Sequence, residues 1–585
     1  MENWVIKNRK ADFENIMSRC GVSEVLARCL VNKGLEEPEK INAFLSPDLK
    51  KLYEPLLMKN MKKACEILRD KIYEGKKIRI IGDYDVDGVV ATCILYRILS
   101  AAGARVDYEI PDRIKDGYGI NVNMVEAAYH EQIDTILTCD NGIAAIEQIA
   151  LAKNYQMTVI ITDHHSLVQS EDGSSILPAA DAVINPKQTD CTYPFDGLCG
   201  AAIAYKLSEA LTGYFEIENK AELLKELLSY TAIATVCDVM ELAEENRIIV
   251  KYGLDLLKDT GNKGLCALMD ISGVEKKQLN TFHLGFVIGP CLNASGRLMT
   301  AKKGLELLLA GTKEEALRLA EEVRSLNEVR KNMTAENVLS AIRLIEESDL
   351  SKDKVLVVYL PDCHESIAGI IAGRLKDRYH KPTLVLTQAE NCIKGSGRSI
   401  EQYNMYEELS KCRDLFLKMG GHPMAAGFSL LPENEEPLRS RLNRDTALTE
   451  EMLVPKVTID ISLPLGFITE QLITELKRLE PFGKGNEKPL FAEKNLKIKS
   501  ALIVGKNASG IRFRVENQYG REMDAIYFGD VVQFFDYIGN TYGNEEAEKL
   551  KTGRGCNAEI AITYFPRMNE YNGFRTIQLM IQNYR

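Results

Sequence analysis

The sequence predicts an α/β protein: a parallel-sheet domain joined by a long helical connector to a smaller α/β domain, followed by a C-terminal all-β barrel. Three observations lead there. From about residue 55 to 300, short apolar runs alternate with helical patterns, as parallel strands with crossover helices require. From 302 to 347 nearly every residue favours helix, with apolar positions at helical spacing. From about 455, short alternating segments are divided by Gly, Asn and Asp, the pattern of a small barrel.

Taken in order, residues 1–50 read as a helical N-terminal segment with a polar break at Glu36-Glu37-Pro38-Glu39. Residues 51–300 form the first α/β domain. It opens with an amphipathic helix over 64–73, then a strand through Ile80-Ile81, a helix over 89–102 and a strand over 105–110. Three further apolar runs come next, ending at Asp140, at Asp163-His164-His165 and, through Ala234-Thr235-Val236-Cys237, at Asp238. All read as buried strands, because they are short, continuous and rich in branched residues. Residues 301–350 are the connector. Residues 351–452 form the second α/β domain, with strands over 354–360 and 382–386 around a helix over 366–379. Residues 453–585 form the barrel, with strands over 496–504, 511–515, 522–528, 556–565 and 575–581 and a helical insertion near 530–551.

The composition is that of a folded soluble protein: 585 residues, 45% hydrophobic and 27% charged. No apolar stretch is long enough to span a bilayer, and residues 1–7 lack the apolar block of a signal peptide. The fourteen cysteines include no C-x-x-C pair, which suits a reducing cytoplasm and argues against a zinc ribbon or a disulfide framework. The net charge of −11 by itself disfavours a nucleic-acid ligand, although binding depends on local rather than total charge.

The apolar runs end in chemistry. Asp83, Asp85 and Asp87 follow the first, Asp140 the second, Asp163, His164 and His165 the third, and Asp238 the fourth. Parallel strands finish at one edge, so these loops converge. A lone Asp-x-Asp is ordinarily a turn or a helix cap, but four such clusters at matching strand ends are not. Six carboxylates and two imidazoles cannot crowd together uncompensated. Two divalent cations are the simplest remedy, and carboxylate oxygens with imidazole suit Mn²⁺ or Mg²⁺.

At this point the chain resembles a known family. Asp163-His164-His165 after a strand, preceded by Asp85-Val86-Asp87, is the hallmark of the DHH phosphoesterase superfamily. Gly420-Gly421-His422-Pro423-Met424-Ala425-Ala426-Gly427 is similar to the glycine-rich motif of the associated DHHA1 domain. Three more segments resemble those of the RecJ family: Ile110-Pro111-Asp112-Arg113 with Gly117-Tyr118-Gly119, then Asn293-Ala294-Ser295-Gly296-Arg297-Leu298, and Leu479-Glu480-Pro481-Phe482-Gly483-Lys484-Gly485-Asn486, which introduces an OB-fold there. The resemblance spans about residues 50–585. It implies a metal-dependent exonuclease that degrades single-stranded DNA 5′ to 3′, releases 5′-mononucleotides and acts in DNA repair and recombination in the cytoplasm. Single-stranded DNA is the implied partner, and a single-strand-binding protein and a helicase come with it as candidates.

Carried over by motif, Asp85, Asp87, Asp140, His164 and Asp238 are implied metal ligands, with Asp140 bridging two ions. Asp83 joins them as a ligand or as a carboxylate just behind them, since Ile81 stands near the place of the superfamily's common upstream histidine. His165 is implied to contact the scissile phosphate, and Asp163 to hold an imidazole or cap the following turn. Gly395-Ser396-Gly397-Arg398-Ser399 offers backbone N–H groups, hydroxyls and a guanidinium to phosphate oxygens. In the family this motif, Ser396 and Arg398 included, holds the terminal phosphate with help from Arg113. Asn293, Arg297, His364, Arg374, Gly421 and His422 are further substrate-binding candidates. Arg297 is placed in a loop, and Arg374 shares a helix face with Arg378. The chain departs from the family in carrying Cys363 before His364 where Trp is usual, and Ser366 in place of a glycine. In the barrel, Phe513, Tyr527, Phe528, Tyr564, Phe565 and Phe574 with neighbouring arginines are candidates for stacking bases, and about half should instead fill the core.

Two rivals stand beside this reading. One is an oligoribonuclease or cyclic-dinucleotide phosphodiesterase of the same superfamily, which ordinarily lacks a C-terminal barrel. The other is a replication scaffold that keeps the fold and has lost the ligands, all of which are present here.

Overall fold

The computed structural model describes residues 2–170, 173–505, 508–571 and 573–585. They fall into two compact units, one formed by Leu49–Pro455 and the other by Met1–Asp48 together with Lys456–Arg585.

The first unit carries a five-stranded sheet in the order Arg105–Glu109, Lys77–Ile81, Thr135–Cys139, Thr158–Thr162, Ala182–Ile184, every pair parallel. Both faces are covered, as a parallel sheet requires. Ile78, Ile80, Leu137 and Ile160 pack into one apolar cluster, and Ile81, Ile136, Val159 and Ile161 into another on the opposite face. The helix Val86–Ala101 is buried along most of its length, which explains why it is apolar nearly all round. It begins before the expected residue 89. Asp85 is its N-cap, and Asp87 and Gly88 lie in its first turn.

The fourth apolar run is a correction. Residues 234–237 are not a strand: they end the helix Lys220–Cys237, and Asp238 is its C-cap. A short, fully buried apolar run has no periodicity that separates strand from helix. Its β-branched residues are accommodated because the Thr231 and Thr235 hydroxyls donate to Leu227 O and Thr231 O, one turn back. The edge that carries these carboxylates and imidazoles is thus made of three strand ends and one helix end.

The connector is two helices, Lys302–Leu309 and Lys313–Glu346, broken at Ala310-Gly311, with Thr312 capping the second. Beyond it lies a second sheet in the order Phe416–His422, Ala425–Leu430, Ile393–Arg398, Thr383–Gln388, Leu356–Tyr359. Only its last pair is parallel. The Gly-Ser-Gly-Arg and Gly-Gly-His motifs lie in strands. Gly395 is needed for packing, because a side chain there would meet the Phe428 ring at 2.1 Å.

In the other unit the strands Phe491–Val504, Gly510–Glu516, Glu522–Tyr527, Phe574–Tyr584 and Glu559–Tyr571 close into a five-stranded barrel through pairing of the first with the last. The insertion is two helices, Val531–Tyr542 and Asn544–Lys551. Phe513 and Tyr564 fill the barrel core, whereas Phe528 and Phe574 are exposed. The N-terminal residues belong to this unit. Strand Asn3–Ile6 pairs in parallel with Lys456–Ile459, and Leu26, Leu30 and Ile41 share an apolar cluster with Leu465, Leu476 and Phe491.

Candidate metal centre

Three strand ends deliver most of the carboxylates. Past Ile81 the chain turns at Gly82 and buries Asp83, whose Oδ1 accepts from Gly119 N at 3.2 Å. Gly88 has to be glycine, since a Cβ there would lie 2.5 Å from the backbone N and O of Asp83. The Asp85 Oδ1 caps the helix by accepting from the Asp87 and Gly88 N–H groups. The Asp87 carboxylate is fixed from across the fold: its oxygens accept from Gly200 N at 2.7 Å and Ala201 N at 2.8 Å, the first N–H groups of the helix Gly200–Leu211.

Asp140, which follows the strand Thr135–Cys139, is buried and takes a left-handed backbone conformation, φ 60°. Aspartate tolerates this region better than most residues, and such backbone often marks a functional site. The His164 Nε2 faces three carboxylates, at 3.1 Å from Asp140 Oδ1, 3.7 Å from Asp87 Oδ2 and 3.8 Å from Asp238 Oδ2. Asp163 turns away from this group. Its Oδ1 accepts from the backbone N–H groups of His164 and His165 and pairs with His165 Nδ1 at 2.8 Å, while Oδ2 accepts from Ile143 N.

The electrostatics call for positive charge. Burial, then Asp85, raises the Asp83 carboxyl to about 8. Burial, then Asp87, raises Asp85, and the same two causes push Asp140 far above the ordinary carboxylate range. Burial lowers His164 to about 4, leaving a neutral imidazole able to ligate. For His165 burial acts in the same direction, but the bond to Asp163 outweighs it and the imidazolium is favoured. Asp83 Oδ2, Asp140 Oδ1 and His164 Nδ1 are buried without a hydrogen-bond partner among the described residues. Three donor sets have ligand atoms within 4.8 Å of one another: Asp83 with Asp85 and Asp140, Asp87 with His164 and Asp238, and Asp140 with His164 and His165. Hard oxygens plus a neutral imidazole, short of hydrogen bonds and long on negative charge, fit a pair of Mn²⁺ or Mg²⁺ ions.

A cavity of about 390 Å³ adjoins this centre through Tyr84, the residue between Asp83 and Asp85. Arg113, Arg297, Ser396 and Arg398 line it together, from distant segments of the chain. The Arg113 guanidinium lies 4.0 Å over the Tyr84 ring. Burial, then the neighbouring Arg113, lowers Arg297 to about 10, and burial lowers Arg398. Three arginines lining one cavity call for an anion. Arg297 is helical, within Gly289–Leu298, rather than in a loop.

Five other candidates lie outside that lining. Asn293 is half-buried and its Oδ1 has no hydrogen-bond partner among the described residues. His364 caps the helix Glu365–Tyr379, its Nδ1 accepting from Ser366 N. Arg374, Gly421 and His422 are exposed.

Several residues escaped the sequence reading. Tyr118 donates to Asp140 O at 2.8 Å and lies 3.0 Å from His165 Nδ1; its position within Gly117-Tyr118-Gly119 was the available signal. Asn141 ties the loop to the neighbouring strand through Ile81 O. Gly200 gave no signal, because Cys199-Gly200-Ala201-Ala202 reads as an ordinary helix start.

Family comparisons agree with this arrangement. The DHH family N-terminal domain matches residues 77–235, the DHHA1 domain 352–447 and the RecJ OB domain 459–583. The single-stranded-DNA-specific exonuclease RecJ of Bacillus subtilis (strain 168) is 35% identical over 99% of this chain and 70% of its own length. The protein of that name from Haemophilus influenzae is 30% identical over 99% and 98%. The crystal structure of RecJ in complex with Mn²⁺ from Thermus thermophilus superposes with a TM-score of 0.81 at 25% identity, covering 100% of this chain and 79% of that one. The structure of exonuclease RecJ bound to manganese gives 0.58 at 30% identity, covering 68% and 96%. With three domain models matched along the chain and a relative 35% identical over 99% of this chain and 70% of its own length, the chain belongs to the RecJ family of the DHH phosphoesterase superfamily.

Proposed function

We infer that this protein is a metal-dependent exonuclease that hydrolyses single-stranded DNA from its 5′ end, releasing 5′-mononucleotides in DNA repair and recombination. The observation that carries the reading is the junction of an unsatisfied donor set with an arginine-lined cavity, one residue apart at Tyr84.

Asp83, Asp85, Asp87, Asp140, His164 and Asp238 would hold two divalent cations, and Asp140 belongs to two of the three donor sets. Such ions supply Lewis-acid charge at the scissile phosphate and make water a competent nucleophile near neutral pH. His165, whose imidazolium form the bond to Asp163 favours against burial, would donate to a non-bridging phosphate oxygen, where negative charge grows in the transition state. Arg113, Arg297, Ser396 and Arg398 would grip the 5′-terminal phosphate and so set which bond reaches the metal centre. Asn293, His364, Arg374, Gly421 and His422 are left for contacts with more distant parts of the strand. In the barrel unit, exposed Phe528 and Phe574 would stack bases of the single strand.

No helix among the described residues is long and apolar enough to cross a membrane. All fourteen cysteines are free thiols, which supports a cytoplasmic location. A single-strand-binding protein and a helicase are proposed partners, and co-sedimentation with each purified protein tests them.

Purified protein with Mn²⁺ should shorten a 5′-phosphorylated single-stranded oligonucleotide to mononucleotides and leave a blunt duplex intact, and EDTA should stop it. Preference for dinucleotides over long strands would move the protein to the oligoribonuclease branch. Arg113→Ala should raise KM for the phosphorylated strand by about 10- to 100-fold, the loss of one charge-assisted phosphate contact, with a much smaller change in kcat.

A further inference from the structure

A glycine in the helix Glu365–Tyr379 lies against the arginine cavity in a place where any side chain would interfere. A Cβ built on Gly369 would fall 2.7 Å from Arg398 Nη2 and 2.8 Å from Ser396 Oγ. Both distances are well inside contact, so the guanidinium and the hydroxyl occupy the volume that a methyl group would need. Arg398 Nη1 donates to Gly397 O at 2.7 Å and approaches Ser396 Oγ at 3.3 Å, so the strand Ile393–Arg398 holds the guanidinium back against the helix. Four residues on, Gly373 is the opposite case. It lies in the same helix, and a Cβ there would meet nothing within 4 Å.

We propose that Gly369 is a positioning residue for the terminal-phosphate site: its missing side chain is the space in which Arg398 and Ser396 are set to receive the 5′ phosphate. The proposal rests on reading this cavity as the phosphate site. Glycine is unfavourable in a helix interior, so two of them in one helix need reasons. For Gly369 the reason is this close approach.

The groups that would give way are the far end of a flexible arginine and a serine hydroxyl that can rotate, not backbone. Gly369→Ala therefore displaces Arg398 without breaking the fold, while improving helix propensity. Stability and function move in opposite directions, which a packing role for Gly369 would not produce. The expected result is that Gly369→Ala melts no lower than wild type, yet its KM for a 5′-phosphorylated oligonucleotide rises roughly 10-fold, most of one charge-assisted hydrogen bond. On a 5′-hydroxyl oligonucleotide its rate stays within about 2-fold of wild type, because no charge-assisted contact is made there to lose. Gly373→Ala should gain the same stability and keep both activities.

Three measurements separate the outcomes: melting temperature, and kcat and KM on phosphorylated and hydroxyl-ended strands, for Gly369→Ala, Gly373→Ala, Arg398→Ala and the Gly369→Ala/Arg398→Ala pair. The pair should lose much less than the sum of the two single changes, since both act through one guanidinium and only the Ser396 hydroxyl is left for Gly369→Ala to disturb. If Arg398→Ala keeps the wild-type preference for a 5′ phosphate, the reading of the cavity is wrong. If Arg398→Ala loses the preference while Gly369→Ala retains it, the cavity reading stands and the role given to Gly369 is overturned. A Gly369→Ala protein that melts lower and loses both activities equally would also overturn it, as a structural glycine.

Discussion

Asp140→Asn should lower hydrolysis of single-stranded DNA by at least ~10³-fold, the scale of removing a group that acts with its neighbours as one catalytic unit. Asp140 is the carboxylate common to two of the three donor sets, and its Oδ1 is buried without a hydrogen bond. The same change should not weaken the metal-free protein. Burial, then Asp87 and Asp85, makes the ionised form of Asp140 unfavourable there, and asparagine carries no charge. The pH dependence takes its sign from the same shifts. Asp83 and Asp85 also have raised values, Asp83 about 8, so stability that is present below the ordinary carboxylate range is lost as pH climbs toward 8. Thermal melts in EDTA should show wild type falling across that window, and Asp140→Asn falling less. Adding Mn²⁺ should raise the wild-type midpoint far more than the variant's. Unchanged turnover in Asp140→Asn would remove this residue from the mechanism.

Gly200→Ala should be nearly as damaging, by a different route. A Cβ at Gly200 would sit 2.6 Å from Asp140 Cβ and 2.9 Å from its Cα. Those atoms belong to a residue already held at φ 60°, so the backbone must move. The N–H groups that grip Asp87 would move with it. Overpacking of this kind costs about 1–3 kcal/mol of stability. Losing the alignment of two ligands at once should cost at least about 10²-fold in turnover, as misplacement of catalytic groups by an ångström does. A Mn²⁺ titration followed by melting temperature checks it: the midpoint shift should be largely lost. A wild-type shift with wild-type kcat would show that Asp140 does not need the space.

Much of this site was legible in the sequence because parallel strands report their own ends. Ile80-Ile81, Ile136-Leu137 and Val159-Ile160-Ile161 are apolar on both faces, so the polar residues after each run must gather at one edge. Asp238 was found for the wrong reason. Its apolar run is helical, and a buried helix end and a buried strand look alike over five residues. The resemblance joined Arg113 to Ser396 and Arg398 at one phosphate, but nothing in the spacing says that Arg297 meets them. Gly200 and Gly369 were invisible in principle. A glycine required by what approaches it across the fold leaves no trace in its neighbours along the chain.

The barrel draws part of its interior from the far end of the chain. On a ribosome, Leu26, Leu30 and Ile41 emerge before the surfaces they bind, such as Leu465 and Phe491, which are made only after the whole of Leu49–Pro455. Through that interval the early helices carry bare apolar faces, the condition that calls for chaperones. A fragment starting at residue 453 should accordingly be poorly soluble, and coexpressing residues 1–48 with it should restore solubility.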